Sequence, residues 1–417
     1  MISPPVRKIT ACRLCQSKVL ATVVDFGSVA LGNNLQETAE AARAASEYPL
    51  VLNRCSACGH FQLADAVAPE LLYATNYTYL SGIGASFLKH FQEYADWVCA
   101  TCDLPASPLI VDVGSNDGSC LKPFKARGFN VCGVDPATMP ARIANEAGIE
   151  TLNRFFDDDA VAEIVSRHGQ ADMVTSHNVL AHVDDLAGTF RAIHGLLKDG
   201  GYFCFEVGYF HEVLRKNCFD TIYHEHLDYH HAAPLVQHLT ALGFSIEDLS
   251  VNEVQGGSIR LLFRKDGKGA VSGQAAAFLA SEEHSVLTDK AFLDRWGEGV
   301  VRLMGEFRDR VRAHVAAGRV IAAYGAPTKA TLLMKVAGVT GDEVAYVVED
   351  NPLKTGRFLP GSAVPILPTA TLAAREPDVL VIFAWNFAED IIAKISGQFP
   401  KPVEVIVPLP ELRTLSV

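Results

Sequence analysis

Beyond about residue 107, apolar runs alternate with helical stretches along the chain. The runs at residues 109–114, 130–136, 171–176 and 201–207 have the length of buried strands. This alternation predicts a parallel sheet covered by helices, with ligands at the carboxyl ends of the strands. Two more strands are expected at 244–249 and 258–263, around the pair Gly256-Gly257.

A second α/β unit is expected after a polar, glycine-rich stretch at residues 265–273. A helical stretch at about 284–316 leads into a strand and glycine turn at 319–327. Further strands are expected at 344–348 and 379–383. This unit lacks the glycine motif of a dinucleotide site, so its pattern alone indicates a packing domain.

The first 75 residues or so differ, because they are punctuated by cysteine and show little regular periodicity. Two C-x2-C pairs stand about 40 residues apart, Cys12 with Cys15 and Cys55 with Cys58. Four thiolates in paired turns are a preferred ligand set for tetrahedral structural zinc. Buried free cysteines are the alternative. A third pair, Cys99 and Cys102, follows a helical apolar face and is expected to pack at a helix end.

Length and composition narrow the class of protein. A chain of 417 residues, 49% hydrophobic and 20% charged, should form two or three globular domains. A net charge of −12 argues against a nucleic-acid partner. There is no 18-residue apolar run and no apolar signal core at the start. We therefore expect a cytoplasmic location and no membrane partner. The ten cysteines should then be thiols or metal ligands.

The turn after the first strand of the α/β region is a candidate cofactor site. It reads Asp112-Val113-Gly114-Ser115-Asn116-Asp117-Gly118, and Asp135 ends the next strand, where it could accept hydrogen bonds from a ribose diol. A dinucleotide site would need G-x-G-x-x-G. Asp117 would repel a pyrophosphate but tolerate a cationic sulfonium, so S-adenosylmethionine is favoured over NAD. The expected cofactor-binding residues are Asp112, Gly114, Asn116, Asp117, Gly118, Asp135, Pro136, Phe156 and Asn178.

The densest chemistry lies in the run Tyr223-His224-Glu225-His226-Leu227-Asp228-Tyr229-His230-His231. Histidine exchanges protons near neutral pH, so such a run predicts either a proton-transfer site or a metal site. No H-E-x-x-H zincin pattern is present, and the thiolates give zinc a better ligand set. Methyl transfer to carbon requires a base that removes a proton next to a carbonyl, which this run could supply. Structural core histidines remain the alternative.

Nearly the whole chain resembles the nucleotide-sugar C-methyltransferases that place a methyl branch at C3 of 4-keto deoxysugars. The resemblance is carried, in order, by both cysteine pairs, Tyr77-Thr78-Tyr79-Leu80-Ser81-Gly82, the Gly114–Gly118 turn, Asn178 to His182, Tyr223-His224-Glu225-His226, Gly256-Gly257-Ser258-Ile259-Arg260, Tyr324-Gly325-Ala326-Pro327-Thr328-Lys329, the stretch from Glu349 to Gly361, and Ala384-Trp385-Asn386-Phe387. The chain departs from the family at Lys329-Ala330-Thr331, where it is one residue shorter.

The resemblance implies three domains: a zinc-binding domain at 1–75, a Rossmann-like methyltransferase domain at 76–265, and an α/β domain at 274–417 that helps bind a nucleotide-linked keto sugar. It implies structural zinc, S-adenosylmethionine as cofactor and a monomer. His226 matches the catalytic base, and Tyr77, His182, Tyr223 and Glu225 match residues around the sugar. Lys329, Lys354, Arg357 and Asn386 are candidates for binding the substrate, the first three as cations for its diphosphate.

Several roles stay open at this stage. Glu225 could orient His226 or bind a sugar hydroxyl. His182 could instead be a packed histidine at a helix start, and His230 and His231 are interpreted as structural. Two other functions remain: an O- or N-methyltransferase on a similar scaffold, and a non-catalytic protein that binds nucleotide sugars.

Overall fold

The computed structural model describes residues 5–73 and 80–417. The N-terminal part consists mainly of antiparallel strands. Its elements are β1 (Val6–Lys8), β2 (Leu20–Ala30), α1 (Ala39–Arg43), β3 (Glu47–Cys55), β4 (Phe61–Leu63), β5 (Asp65–Val67) and α2 (Pro69–Tyr73). The strand pattern is weak in the sequence because the pairing of β2 with β3 shifts register twice, between Thr22 and Val24 and between Asp25 and Ser28. Such irregularities break the alternation of period two that marks a strand.

The central part has the predicted alternation of strand and helix. It comprises α3 (Ala85–Thr101), β6 (Leu109–Val113), α4 (Leu121–Ala126), β7 (Asn130–Val134), α5 (Thr138–Glu146), β8 (Thr151–Leu152), α6 (Asp158–His168), β9 (Ala171–His177), α7 (Leu186–Leu196) and β10 (Leu197–Gly208). After these come α8 (Phe210–Arg215), β11 (Asp228–Tyr229), α9 (Ala232–Ala241), β12 (Phe244–Asn252) and β13 (Ser258–Lys265). The strands predicted from apolar runs are therefore present, within a few residues at their ends.

Seven strands form the central sheet in the order β12-β13-β10-β9-β6-β7-β8. Five of them, β8, β7, β6, β9 and β10, are parallel. The strands β13 and β12 are antiparallel and lie at one edge. All five residues of β6 are buried, as expected for a central strand covered by helices on both faces. The carboxyl ends of β6, β7 and β9 therefore meet at one edge of the sheet, where this fold class binds ligands.

The short strand β11 does not join the central sheet. It pairs with β4, with Asp228 opposite Gln62 and Tyr229 opposite Phe61, and so completes the N-terminal sheet in the order β11-β4-β3-β2. The histidine-rich run thus lies where the N-terminal and central parts share a sheet.

The C-terminal part is a second α/β unit with a six-stranded sheet in the order β16-β15-β14-β17-β18-β19. Its elements are α10 (Gly273–Glu283), α11 (Lys290–Ala316), β14 (Ile321–Tyr324), α12 (Ala330–Ala337), β15 (Tyr346–Glu349), β16 (Ile366–Pro368), α13 (Thr371–Ala374), β17 (Val379–Ile382), α14 (Ala388–Ile395), β18 (Glu404–Val407) and β19 (Arg413–Ser416). The helical stretch expected at about 284–316 is α11, which begins at Lys290, and a further helix, α10, precedes it. The α/β fold class inferred from the sequence is correct.

None of the helices in the described ranges is both long enough and apolar enough to cross a membrane.

Candidate functional site

The turn after β6 is held in shape by two glycines in the left-handed region. Gly114 has φ +74°, and a Cβ on it would lie 2.2 Å from the Val179 side chain. Gly118 has φ +75°, and its N–H donates to the carbonyl of Ser115 at 2.9 Å. Only glycine fits both the backbone angle and the close approach at position 114. The turn is thereby pressed against the segment that follows β9.

Asn116 and Asp117 hold a second segment over this turn. The Asn116 side-chain oxygen accepts from the N–H of Ser81 at 3.0 Å, and the Asp117 carboxylate accepts from the N–H of Gly82 at 2.9 Å. These residues begin a 3₁₀ turn, Ser81–Ile83, just before α3. Asp117 therefore holds the backbone of the 3₁₀ turn over the candidate cofactor turn. The sequence alone does not reveal this role.

Several polar atoms around the turn are buried. Among the described residues, Asp112 Oδ1, Ser115 Oγ and Ser119 Oγ are buried without a hydrogen bond. Burial, with the charge of Asp135 second, raises the pKa of Asp112 well above its usual value. The Asp135 carboxylate accepts the N–H groups of Asn116 and Ala137, both at 2.8 Å. Unsatisfied polar groups at the carboxyl ends of parallel strands fit a polar ligand such as S-adenosylmethionine.

The other three expected cofactor residues surround the same edge. Pro136 is exposed directly after Asp135, and Phe156 is half-buried against the core in the segment before α6. Asn178 follows β9 with φ +57°, and its N–H donates to the Glu206 carbonyl at 2.8 Å.

The segment after Asn178 leads from the cofactor turn to the histidine-rich run. Val179 packs on Gly114, and its carbonyl accepts the N–H of His182 at 2.8 Å. The Nδ1–H of His182 donates to the Glu225 carbonyl at 2.7 Å, and the rings of His182 and His226 are 4.8 Å apart. Burial lowers the pKa of His182. The structure therefore brings the run within one short segment of the cofactor turn.

His226 is held as a neutral imidazole of one tautomer. Its Nδ1–H donates to the Thr221 carbonyl at 2.9 Å, which leaves the lone pair on Nε2. The Tyr223 hydroxyl donates to that Nε2 at 2.9 Å. Burial, with the neighbouring His182 second, lowers the pKa of His226 to about 3. The imidazole therefore stays neutral throughout the neutral pH range, with Nε2 as a hydrogen-bond acceptor.

The Glu225 side chain contacts a residue of the N-terminal part. Its Oε1 accepts from the Asn33 side-chain amide at 2.7 Å, and the Asn33 oxygen accepts the Thr328 hydroxyl at 2.5 Å. Burial raises the pKa of Glu225 to about 7, although the Asn33 hydrogen bond opposes the shift. Asn33 thus links Glu225 of the central part to Thr328 of the C-terminal part.

Other members of the run fasten it to the N-terminal sheet. His224 donates from Nε2 to the Tyr48 carbonyl at 3.1 Å, and His231 donates from Nε2 to the Gly59 carbonyl at 3.2 Å. The Asp228 carboxylate is bound by Arg13 Nε at 3.0 Å and by His60 Nε2 at 2.8 Å. These contacts agree with a structural interpretation of His231 and give His224 and Asp228 the same kind of role.

The four paired cysteines form one cluster. The sulfurs of Cys12, Cys15, Cys55 and Cys58 all lie within 4.8 Å of one another. The Sγ atoms of Cys12 and Cys58 are 3.7 Å apart, as are those of Cys15 and Cys55. Zinc–sulfur bonds of about 2.3 Å in a tetrahedron separate sulfurs by about 3.8 Å. The residues fit zinc with no ligand position left open, and zinc, when bound, ties together the two knuckles that carry Arg13 and His60.

In a second cluster of potential metal ligands, the carboxylate is already paired with positively charged or hydrogen-bonding side chains. His90, His177 and Glu206 bring their ligand atoms within 4.8 Å of one another beside the cofactor strands. However, Arg260 donates to Glu206 Oε2 at 2.9 Å and His90 Nε2 lies 2.8 Å from Oε1. Burial would raise the pKa of Glu206, but His90, His177 and Arg260 lower it to about 2. This carboxylate serves to join α3 to β10 and β13.

Two of the expected substrate cations, Lys329 and Lys354, lie at the turn after β14, and Arg357 lies beside the start of β16. Lys354 Nζ donates to the Ala326 carbonyl at 2.9 Å, and Lys329 Nζ donates to the Asn386 side chain at 2.9 Å. Lys329 also lies 3.5 Å from the Asp220 carboxylate and 4.6 Å from the centre of the Trp385 ring. Within residues 5–73 and 80–417, the half-buried Arg357 guanidinium makes no hydrogen bond or ion pair. Arg357 is thus the most available of the three cations.

Sequence reasoning missed several residues that shape the site. Asn33, Arg13 and Asp220 each act through a partner more than 160 positions away in the chain, and no local pattern signals such a pairing. Tyr77, expected near the sugar, lies outside the described residues. The pair Cys99 and Cys102 stands at the end of α3, one exposed and one buried, and neither is part of a described ligand cluster.

Three family profiles match successive parts of the chain. A zinc binding domain profile matches residues 12–73, a "methyltransferase domain" profile matches 87–249, and a "C-methyltransferase C-terminal domain" profile matches 253–410.

Known proteins match to different extents. C-methyltransferase NovU of Streptomyces niveus is 32% identical over 413 residues, which cover 99% of this chain and 98% of NovU. The ubiquinone biosynthesis O-methyltransferase of Pseudomonas aeruginosa (strain UCBPP-PA14) is 33% identical over 110 residues, which are 25% of this chain and 46% of that enzyme. Magnesium protoporphyrin IX methyltransferase (ChlM) from Synechocystis PCC 6803 is 17% identical over 43% of this chain and 79% of its own, with a TM-score of 0.33, which is too low to carry information on activity.

Proposed function

Because the chain belongs to the S-adenosylmethionine-dependent C-methyltransferase family, as its full-length likeness to the Streptomyces niveus enzyme shows, we propose that it methylates a keto sugar carried on a nucleoside diphosphate. The methylated carbon is the one next to the ketone, C-3 of a 4-keto deoxysugar. The observation that carries this proposal is the neutral His226, fixed by the Thr221 carbonyl and one short segment from the cofactor turn.

The reaction requires a carbon nucleophile, and the run supplies what is needed to make one. The Nε2 lone pair of His226 takes the proton from the carbon alpha to the ketone, and the electron pair moves onto the ketone oxygen. The Tyr223 hydroxyl donates to Nε2 at 2.9 Å, so it has to turn away before that nitrogen takes the proton, and it can then donate to the enolate oxygen. S-adenosylmethionine, when bound, supplies an electrophilic methyl group to the resulting carbon nucleophile.

The sugar nucleotide is proposed to lie between the run and the C-terminal unit. Glu225, with its pKa raised to about 7 by burial, is suited to hold a sugar hydroxyl as donor or acceptor. It is a poorer candidate for orienting His226, because the two ring nitrogens of His226 already have the Thr221 carbonyl and the Tyr223 hydroxyl as partners. Lys354 and Arg357, in the segment between β15 and β16, are proposed to bind the diphosphate, together with Lys329 and Asn386.

The test is methyl transfer from labelled S-adenosylmethionine to a panel of nucleoside-diphosphate sugars. We expect turnover only with 4-keto deoxysugars, and a new carbon–methyl bond located by NMR. His226→Asn should abolish transfer while S-adenosylmethionine binding by calorimetry is retained. The matched control is His284→Asn, an exposed histidine far from the run in the chain, which should transfer at the wild-type rate.

Other outcomes would replace the proposal. Methylation of a hydroxyl or amino group, or of the 4-hydroxy sugars, would indicate an O- or N-methyltransferase. Binding of the sugar nucleotide without S-adenosylmethionine binding or turnover would indicate a non-catalytic protein.

A further inference from the structure

Trp385 stands out because, unlike Asn386 in the same sequence motif, it has no task in the proposed reaction. It belongs to a 3₁₀ turn, Trp385–Phe387, that follows β17 in the C-terminal unit. Its indole Nε1–H donates to Asp220 Oδ2 at 2.5 Å, across 165 positions of the chain. A tryptophan N–H seldom stays buried without a partner, and here its partner is a charged one in the central part.

Asp220 has no exposed surface. Besides Trp385, its Oδ2 lies 3.5 Å from the Lys329 ammonium, while its Oδ1 has no hydrogen-bond partner among the described residues. A buried carboxylate is costly unless it is paired, so this one depends on both C-terminal partners. Burial raises the pKa of Asp220, and the charge of Lys329 opposes that shift.

The position of Asp220 links these contacts to the proposed base. It is the middle residue of the 3₁₀ turn Phe219–Thr221, and the carbonyl of Thr221, the next residue, accepts the Nδ1–H of His226 at 2.9 Å. That carbonyl decides which ring nitrogen of His226 carries the proton. If the turn rotates, the acceptor moves away, and Nε2 can take the proton and lose its lone pair.

We propose that Asp220 is a positioning residue, clamped by Trp385 and Lys329 of the C-terminal unit so that the Thr221 carbonyl holds His226 in the tautomer that can act as a base. This inference rests on the proposed role of His226. It gives the tryptophan of the Trp385-Asn386-Phe387 turn a function. It also provides a series of contacts through which the C-terminal unit affects the proposed reaction.

The contacts favour this assignment over simple charge balance for Lys329. The Trp385 hydrogen bond to Asp220, at 2.5 Å, is shorter than the 3.5 Å approach of the Lys329 ammonium. Lys329 also has a neutral partner, Asn386, at 2.9 Å, and a ring beneath it. The indole N–H has one hydrogen to donate, and it goes to Asp220.

The test compares full-length wild type with Trp385→Phe, Asp220→Ala and Asp220→Asn. Phenylalanine keeps a ring but removes the N–H, and asparagine keeps an oxygen that can accept it. The first readout needs no substrate: histidine labelled with ¹⁵N, with the His226 signal assigned by its loss in His226→Asn, reports which ring nitrogen is protonated. The second is the kcat and KM for methyl transfer to whichever nucleoside-diphosphate keto sugar the panel identifies.

We expect a single Nδ1–H tautomer in the wild type and a mixture in Trp385→Phe and Asp220→Ala. In those two variants kcat should fall by about 10-fold or more while KM stays within about twofold, and Asp220→Asn should recover part of kcat. Phe387→Leu, which changes an exposed ring in the same turn, is the control and should match the wild type.

Folded Trp385→Phe and Asp220→Ala variants that keep the wild-type tautomer and kcat would overturn the inference. If one of them does not fold, the other and Asp220→Asn decide through the same signal. A wild-type enzyme that transfers no methyl to any keto sugar would instead count against the proposed function, whereas the tautomer signal would still decide the role of Asp220.

Discussion

At the scale of single residues, burial sets the chemistry of the histidine-rich run. It lowers the pKa of His226 to about 3 and raises that of Glu225 to about 7. The imidazole is thereby kept neutral, with its Nε2 lone pair directed at the Tyr223 hydroxyl, while the neighbouring carboxyl group titrates close to physiological pH. Adjacent residues with opposite shifts are typical of a site that uses both a base and a polar anchor.

The titration of Glu225 can be tested through Asn33. The Asn33 amide donates to the Glu225 carboxylate and so lowers its pKa. Asn33→Ala removes that donor, which favours the protonated form, and the pKa should rise by about one unit. The limb of the kcat/KM profile that lies near pH 7 should then move to higher pH, and it should vanish in Glu225→Gln.

Asn34→Ala is the matched control for that measurement, because Asn34 is the exposed neighbour of Asn33. Its profile should coincide with that of the wild type. An Asn33→Ala profile with the limb unmoved would show that the carboxyl group titrating near pH 7 is not Glu225.

Single residues of the proposed site also differ in whether the sequence alone can predict them. His226, His182 and Glu225 could be chosen because their residue types lie in one run or motif. Asn33 and Asp220 could not be chosen, because an asparagine after a strand and an aspartate in a turn have many ordinary uses. Only the folded chain places their partners, Glu225 and Trp385, within hydrogen-bond distance.

At the scale of elements, the 3₁₀ turn Ser81–Ile83 covers the cofactor turn. A Cβ on Gly82 would lie 2.5 Å from Asp117 Oδ2. Gly82→Ala should therefore push the 3₁₀ turn away and break the hydrogen bond that the Gly82 N–H donates to Asp117. We expect S-adenosylmethionine affinity, measured by calorimetry, to fall by about 10-fold, the equivalent of about 1.4 kcal/mol.

Gly195→Ala is the control for that experiment, since it lies in α7 with open space around a Cβ. It should bind S-adenosylmethionine as the wild type does. Unchanged affinity in Gly82→Ala would mean that the 3₁₀ turn does not help to form the cofactor site.

Zinc is expected to order the histidine-rich run as well as the knuckles. Arg13 and His60, which follow cysteines of the two knuckles, both bind Asp228, and β11 pairs with β4. Removing the metal with a chelator should therefore increase hydrogen–deuterium exchange both at residues 12–63 and at 224–231. S-adenosylmethionine affinity should change little, because the cofactor turn belongs to the central sheet. Unaltered exchange at 224–231 would contradict this coupling.

The elements differ in how well the sequence predicts them. Parallel strands such as β6 are apolar on both faces, so their runs are visible in the sequence. The N-terminal strands are irregular, and β11 has only two residues and pairs with a strand more than 160 positions away. No local period indicates such a pairing.

At the scale of the whole molecule, the proposed site forms where three parts of the chain meet. The N-terminal part supplies Asn33, the central part supplies Glu225 and His226, and the C-terminal part supplies Thr328 and Trp385. Such a junction would give the zinc-binding part and the second α/β unit a role in the proposed site beside the methyltransferase domain.

The most direct test of that base is solvent exchange at the substrate carbon. The keto sugar nucleotide is incubated in D₂O with the enzyme and S-adenosylhomocysteine, which has no methyl group to transfer. The wild type should place deuterium on the carbon next to the ketone, and His226→Asn should do so at least about 100-fold more slowly. Exchange at the wild-type rate in His226→Asn would show that another group removes the proton.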